Sequence, residues 1–206
     1  MGMIEFIKNG GLVMIPLLGG MIIAIALIVD RFFALKNFSK QIRLIDPIAE
    51  QLLKNQTIFI PNELETQNGP IAAILKNGLH HLQAKPELLT NTLKLAFYQH
   101  AESLQKHLST IKIIGAIMPM LGLLGSVDGM IHVFSSISQS GVGNPQVMAH
   151  GVSEALIATK TGLAGAILIL FCHNLLLNRV ENLMTHIQRT VTIFQHYALT
   201  HQKQDA

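Results

Sequence analysis

Two apolar stretches of this 206-residue chain carry opposite charges. GLLGSVDGMIHVF, residues 122–134, contains Asp128 and His132, and ALIATKTGLAGAILILF, residues 155–171, contains Lys160. A lone charge at the centre of a membrane-spanning helix costs about 2.5–3.5 kcal/mol on insertion scales. The opposite charges therefore predict a buried ion pair, within one subunit or between neighbouring subunits. Because Asp128 and His132 are four residues apart on one helix face, a proton relay or a hydrogen-bonded pair is an alternative, as are charges that face water.

Uncharged polar groups lie in the same stretches. Ser126 and Thr159 carry hydroxyls, which both donate and accept hydrogen bonds and can line a hydrated path. The simple structural explanation is that each hydroxyl bonds to its own helix. Pro119 removes one backbone hydrogen bond and leaves a carbonyl that a hydroxyl, water or a neighbour must satisfy. Glu154 stands just outside the second stretch, where an acid that reaches water costs little.

Other kinds of chemistry find little support in the sequence. The remaining histidines have neither HxxxH spacing nor paired cysteines beside them, so we expect no metal site. We find no nucleophile–base set and no phosphate-binding loop, and we therefore expect neither an enzyme nor a bound cofactor. The net charge is +3, but the basic residues are spread along the chain, which argues against nucleic-acid binding.

The composition is that of a membrane protein. Half of the residues are hydrophobic and 13% are charged, against roughly 25% charged in ordinary soluble domains, and the mean hydropathy is +0.42. A membrane-spanning helix needs about 20 largely apolar residues. Three stretches qualify, at 11–30, 113–136 and 152–177. The sequence thus predicts an all-α membrane protein with three transmembrane helices in contact with the lipid bilayer.

The distribution of basic residues predicts the orientation. Ten of the fifteen lysines and arginines lie between Arg31 and Lys112, whereas residues 137–151 contain none. The positive-inside rule then places the N-terminus outside and the C-terminus in the cytoplasm. The predicted order is a periplasmic N-terminus, transmembrane helix 1, a cytoplasmic helical segment, transmembrane helix 2, a periplasmic turn, transmembrane helix 3 and a cytoplasmic C-terminal helix (1–10, 11–30, 31–112, 113–136, 137–151, 152–177 and 178–206).

Long helices are expected to extend from the membrane into the cytoplasm. Residues 87–112 contain neither glycine nor proline and enter the second span without a turn signal, so we expect one continuous helix there. Residues 57–69 are rich in turn formers and predict a break between shorter helices. Residues 178–199 predict an amphipathic helix after the third span.

Small residues recur at helical spacing in the second and third spans. In lipid, such stripes let two helix backbones approach closely. A tight helix hairpin explains them without any further function. The predicted packing positions are Gly122, Gly125, Gly129, Ala158, Gly162 and Gly165.

The motifs of these two spans resemble those of the ExbB/TolQ proton-channel family, within the MotA/TolQ/ExbB superfamily. MPMLGLLGSVDGMIHVF, residues 118–134, is similar to its Pro–x–x–Gly–Leu–x–Gly–Thr–Val–x–Gly stretch, with Ser126 in place of the threonine. GVSEALIATKTGLAGAI, residues 151–167, is similar to its Gly–x–x–Glu–Ala–Leu–x–x–Thr–x–x–Gly–Leu stretch and matches it in full.

The resemblance implies a subunit of the bacterial inner (cytoplasmic) membrane that forms a homo-oligomeric ring, in known members a pentamer. The ring surrounds an ExbD- or TolR-like subunit with a single transmembrane helix, whose aspartate takes up and releases protons. A TonB- or TolA-like protein receives the force. By the same resemblance, Ser126 and Thr159 line the pore. Glu154 is the acid at its periplasmic mouth, and Pro119 is the irregularity of the second span.

Asp128 and Lys160 depart from the family pattern. Position 128 is usually aromatic or otherwise uncharged, and position 160 is usually small. Because the two spans are antiparallel and Ser126 and Thr159 are expected at similar depth, the aspartate lies about 3 Å outward and the lysine about 1.5 Å inward of that level. A lysine side chain covers this gap, which favours the ion pair. Alternatively, Lys160 pairs with the partner's aspartate and favours its charged form.

The function expected from the resemblance is a stator-like proton-channel subunit that couples the proton motive force to TonB-dependent transport across the outer membrane. A TolQ-like role in the Tol-Pal envelope-maintenance system is one alternative, because EALIAT, residues 154–159, occurs in both branches. The other alternative is a non-conducting membrane scaffold for a partner helix, in which Asp128 and Lys160 plug a former pore. The matching hydroxyls and Glu154 argue against the scaffold.

Overall fold

The structure is a computed structural model, and it describes residues 10–55, 76, 86–140 and 145–202. Apart from the isolated residue 76 and short turns, these residues form α-helices, and no strand is present among them, which confirms the all-α prediction. The helices are α1 (Met14–Asn55), α2 (Pro86–Gln105), α3 (Leu108–Ser140) and α4 (Pro145–Gln202).

Three segments of the described helices are long and apolar enough to cross a membrane, judged by length and composition. They are Met14–Lys40, Asn91–Ser138 and Met148–Ile193. Each overlaps one of the spans predicted from the sequence, so three candidate spans are confirmed at this level. Their outward side chains are large and apolar, as expected of helices whose surroundings are lipid or other helices.

The long helix predicted to enter the second span is interrupted. α2 ends at Gln105 and α3 begins at Leu108, so the prediction of one continuous helix over 87–112 is wrong. His107 adopts a left-handed backbone conformation with φ 64°, which histidine tolerates better than most residues. Its carbonyl accepts a hydrogen bond from the N–H of Ile111 at 3.0 Å and starts the next helix. The sequence has no glycine or proline at this turn that could have indicated it.

Both helices extend into the segment predicted as a periplasmic turn, residues 137–151. α3 continues to Ser140 and α4 begins at Pro145. Proline suits the first turn of a helix because its missing N–H would have no helical partner there. Residues 141–144 and the predicted break at 57–69 lie outside the described residues.

The chain forms two compact units. The first consists of Met1–Asp30 and His107–Leu176, and the second of Arg31–Lys106 and Leu177–Ala206. In the second unit, the guanidinium of Arg179 lies 4.9 Å from the ring centre of Phe32, a cation–π contact. The fully buried large side chains of the first unit are Met14, Leu17, Ile111, Met118 and Ile169. Those of the second are Leu93 and Leu104.

Candidate functional site

Glycines of α3 and α4 bring the two helix backbones of the first unit into direct contact. A Cβ atom added at Gly122 would lie 3.1 Å from the carbonyl oxygen of Ala158, and one at Gly162 would lie 2.7 Å from the carbonyl oxygen of Met118. Both neighbours are backbone atoms, which cannot move away as a side-chain tip can. The absence of side chains at these positions therefore fixes the separation of the helices.

The other predicted small residues continue the same contact. A Cβ at Gly125 would lie 2.5 Å from the Cβ of Ala158, and one at Gly129 would lie 2.8 Å from the carbonyl oxygen of Gly151. Gly165 differs, because a Cβ there would meet the mobile methyl ends of two methionines. Sequence reasoning missed Gly151 as a packing position, although it begins the third-span motif.

This close approach places Ser126 and Thr159 side by side. Their hydroxyls are in direct hydrogen-bonding contact across the helix interface. The Ser126 hydroxyl also lies 3.0 Å from the carbonyl oxygen of Ala155, on the opposite helix. The Thr159 hydroxyl lies 3.0 Å from the same carbonyl, one turn earlier in its own helix, and 3.3 Å from the carbonyl of Gly122.

The hydroxyl pair has two possible directions of hydrogen bonding. Each hydroxyl carries one proton. If Ser126 donates to Thr159, then Thr159 donates to the carbonyl of Ala155; if Thr159 donates to Ser126, then Ser126 donates to that same carbonyl. Both residues are half-buried in a single chain. The pair can therefore change direction without losing a bond and is accessible from outside the interface.

Glu154 is buried in the single chain, with 8% of the residue exposed. Its carboxylate oxygen Oε2 lies 3.7 Å from Nδ1 of His132 on α3. It also packs against Gly11, just before α1, where φ is +74° and an added Cβ would collide with the carboxylate. The carboxylate of Glu154 is thus enclosed by three parts of the first unit. Sequence reasoning missed Gly11, for which the Gly10–Gly11 pair was the available signal.

The opposite charges of the two apolar stretches, Asp128 and Lys160, lie apart. Asp128 is half-buried on α3 and Lys160 is exposed on α4. Among the residues that the structure describes, no salt bridge joins them within the chain, and the charged neighbour of His132 is Glu154 rather than Asp128. Lys160 follows Ala158 by two residues, about 200° around the helix, so it lies opposite the face that packs on α3. A pair between neighbouring chains stays a prediction.

Pro119 lies inside α3 and is half-buried. Without an N–H, it cannot donate to the carbonyl of Gly115, four residues earlier. Gly115 also packs closely on α4, since an added Cβ would lie 2.9 Å from Leu170. Thr161, the other hydroxyl at this depth, donates to the carbonyl of Ile157 in its own helix at 2.8 Å. In the part of the chain described here, no cluster of histidine, cysteine or acidic residues could hold a metal ion.

Comparison with known proteins identifies the family to which this chain belongs. The sequence model of the MotA/TolQ/ExbB proton channel family matches residues 66–189, more than half of the chain. The chain is 30% identical over 168 residues to a protein of Synechocystis sp. named putative biopolymer transport protein ExbB-like 3, which covers 80% of each protein.

Two further relatives match over shorter lengths. The biopolymer transport protein ExbB of Salmonella typhimurium is 40% identical over 67 residues, or 32% of this chain and 28% of that protein. The Tol-Pal system protein TolQ of Haemophilus influenzae is 35% identical over 89 residues, or 43% of this chain and 39% of that protein. Together with the family match, these similarities show that the chain belongs to the MotA/TolQ/ExbB proton channel family, in its ExbB/TolQ group.

Proposed function

We propose that this protein is the proton-channel subunit of an inner-membrane complex that couples the proton motive force to TonB-dependent transport across the outer membrane. The observation that carries the proposal is the direct contact between the hydroxyls of Ser126 and Thr159 at the interface of two apolar helices. Both residues occupy the hydroxyl positions of the family motifs. Family membership and the ExbB-like names among the relatives supply the rest of the argument.

The hydroxyl pair suits a path along which protons move without a fixed charge in its wall. A hydroxyl can accept a hydrogen bond from one side while donating to the other. The two donor directions of Ser126 and Thr159 let the wall adapt to either protonation state of a carboxylate beside it. Glu154 belongs to the periplasmic mouth in this proposal, held by the contacts with His132 and Gly11.

The proposed topology has a periplasmic N-terminus and a cytoplasmic C-terminus. It follows from the excess of lysine and arginine in residues 31–112 and their absence from 137–151. In this topology, α2 and the parts of α1 and α4 that belong to the second unit lie on the cytoplasmic side of the inner membrane.

The proposed assembly is a homo-oligomeric ring, a pentamer by family resemblance. An ExbD- or TolR-like subunit with one transmembrane helix occupies its centre, and a TonB- or TolA-like protein receives the force. Exposed apolar side chains on α3 and α4 of the single chain, such as Leu123 and Ile167, provide faces for neighbouring helices. The carboxylate that titrates belongs to the partner, so this chain contributes the walls of the path.

Proton uptake tests the proposal in liposomes that contain the protein with its ExbD- or TolR-like subunit. We expect wild type to conduct and Thr159→Ala to lose at least about tenfold in flux, which corresponds to about 1.4 kcal/mol of barrier. Thr161→Ala is the matched control, because its hydroxyl bonds only within α4; its flux should stay within about twofold of wild type. If wild type and both variants show no proton flux, even in rings that also contain the TonB- or TolA-like protein, the result would favour the non-conducting scaffold instead.

A TolQ-like role is the second candidate, favoured by the match to the Haemophilus influenzae protein. Complementation separates the two roles. Rescue of iron-limited growth in bacteria that lack ExbB supports the TonB-dependent role. Rescue of envelope integrity alone, in bacteria that lack TolQ, would assign the protein to the Tol-Pal system.

A further inference from the structure

Lys160 lies at one end of an open groove on the outward side of α4. The groove has a volume of about 500 Å³. All of its lining residues belong to α4, so no other helix in the described part of the chain covers it. They are Met148, Ala149, Val152, Ser153, Leu156, Ile157 and Lys160.

Among the residues that the structure describes, no acidic side chain of the same chain forms a salt bridge with Lys160. Glu154 is buried about 120° around α4 from Lys160 and contacts His132. Asp128 is half-buried on α3, and no salt bridge between it and Lys160 occurs among the described contacts. Within the described part of the chain, Asp128 and Lys160 therefore do not neutralise each other.

The depths of the two charges suit a partner related by rotation. The hydroxyl contact places Ser126 and Thr159 at one level. With a rise of about 1.5 Å per residue, Asp128 lies about 3 Å outward of that level and Lys160 about 1.5 Å inward. A rotation about the membrane normal moves a residue sideways and leaves its depth unchanged. The flexible four-carbon stem of a lysine covers the remaining difference.

We propose that Lys160 forms an ion pair with Asp128 of a second copy of this chain, whose α3 docks on the groove of α4. The inference rests on the ring in the proposed function. Each copy supplies one lysine on α4 and one aspartate on α3, so a head-to-tail arrangement that closes into a ring neutralises every charge. The apolar part of the groove receives the exposed apolar side chains of the docking α3, such as Leu124 and Ile131.

Exchanging the charges between chains tests the pairing. One variant carries Asp128→Lys and therefore two lysines at this depth, and the other carries Lys160→Asp and therefore two aspartates. Each variant expressed alone should form at least about tenfold less ring than wild type. Co-expressed with different tags, they should form more ring than either variant alone, because every contact between unlike chains joins a lysine to an aspartate, while a ring of five keeps at least one contact between like chains. Native mass spectrometry and pull-down of one tag through the other measure the rings.

The outcomes separate this inference from the proposed function. A wild-type chain that stays monomeric would remove the ring, and with it both proposals. Wild-type rings without rescue in the mixture would overturn the ion pair alone and leave the channel intact. Variants that form normal rings but fail to bind the ExbD- or TolR-like subunit would assign Lys160 to the partner helix instead, which also overturns the inference.

A chemical cross-link supplies an independent measurement on intact rings. In a Cys172→Ala background, chains with Asp128→Cys and chains with Lys160→Cys are co-expressed under different tags and treated with a short bifunctional thiol reagent. We expect a product that contains both tags. The matched control carries Ile167→Cys instead of Lys160→Cys. Ile167 is exposed on the same face of α4, two turns further along the helix, so its cross-linked product should be several-fold weaker. Equal yields would contradict the docking register.

Discussion

The two faces of α4 differ although they share one helix and one depth. The face toward α3 presents Ala155, Ala158 and Gly162, all buried. The outward face presents Leu156 and Ile167, which are 66% and 68% exposed. Where α4 packs on the glycines of α3, its side chains are small and the hydroxyl of Thr159 is hydrogen-bonded. Where it faces outward, side chains are large and one of them is charged.

The difference shows which surfaces the chain completes by itself. In lipid, exposed apolar side chains carry no penalty, because lipid tails are as apolar as leucine. Apolar exposure alone therefore does not indicate a partner. Lys160 does, since a charge at this depth needs a counter-charge or water. The inward face is limited by backbone contact within the chain, whereas in the proposed ring a neighbouring copy covers the outward face.

The largest expected effect comes from adding one methyl group to the inward face. Gly162→Ala places a Cβ 2.7 Å from the carbonyl oxygen of Met118, and the helices must separate. Overpacking of this kind costs about 1–3 kcal/mol. Thermal unfolding of the purified protein in detergent should show the loss.

The same substitution at Gly19 provides the control. Apart from the neighbouring backbone of α1 itself, no atom of the described residues lies within 4 Å of a Cβ built at this position. Alanine in a helix interior is favoured over glycine by about 0.5–1 kcal/mol, so Gly19→Ala should leave the protein equally or slightly more stable. Similar losses at both positions would mean that the helix interface is softer than its geometry indicates.

The next largest effect is expected at the start of α1. Gly11→Ala combines a left-handed backbone, φ +74°, with a collision against the carboxylate of Glu154. The backbone term alone costs about 1–2 kcal/mol. If the collision contributes, Glu154→Ala in the same chain should recover part of the loss. Complete independence of the two substitutions in unfolding experiments would argue that Glu154 is not held by this turn.

Much of the helical architecture could be predicted because its signals are local. Three long apolar stretches and two stripes of small residues depend only on composition and spacing. The turn at His107 could not be predicted, since its left-handed conformation has no local signal such as glycine. The ends of α3 and α4 beside residues 141–144 were not predicted, because the predicted spans give the membrane boundaries and not the helix ends.

The site was predictable where the sequence motif and the geometry coincide. Ser126 and Thr159 were selected by motif, and the structure places their hydroxyls together. The burial of Glu154 and its contact with His132 depend on three segments that are far apart in sequence. Opposite charges at similar depth predicted an ion pair within one subunit or between neighbouring subunits, and depth alone does not decide between the two, because it does not determine which way each helix face points.

A smaller effect should distinguish the hydroxyl pair from ordinary back-bonding. Ser126→Ala and Thr159→Val should each cost about 0.5–1.5 kcal/mol of unfolding free energy, and the double substitution should cost less than both losses together. Hydrogen bonds between membrane helices couple by about 0.6 kcal/mol on average. In the control cycle with Thr161→Val, whose hydroxyl bonds within α4, the losses should add within about 0.3–0.5 kcal/mol.

The smallest effect concerns the rim of the inward face, where His132 meets Glu154. The His132 side chain is 62% exposed, and the two atoms are 3.7 Å apart, so water screens the contact. A double-mutant cycle with His132→Ala and Glu154→Gln in the monomeric protein should give a coupling below about 1 kcal/mol. The same cycle in assembled rings sharpens the comparison between the faces. An unchanged coupling would show that His132 keeps its water there, whereas an increase beyond about 1 kcal/mol would show that a neighbouring chain removes it from water.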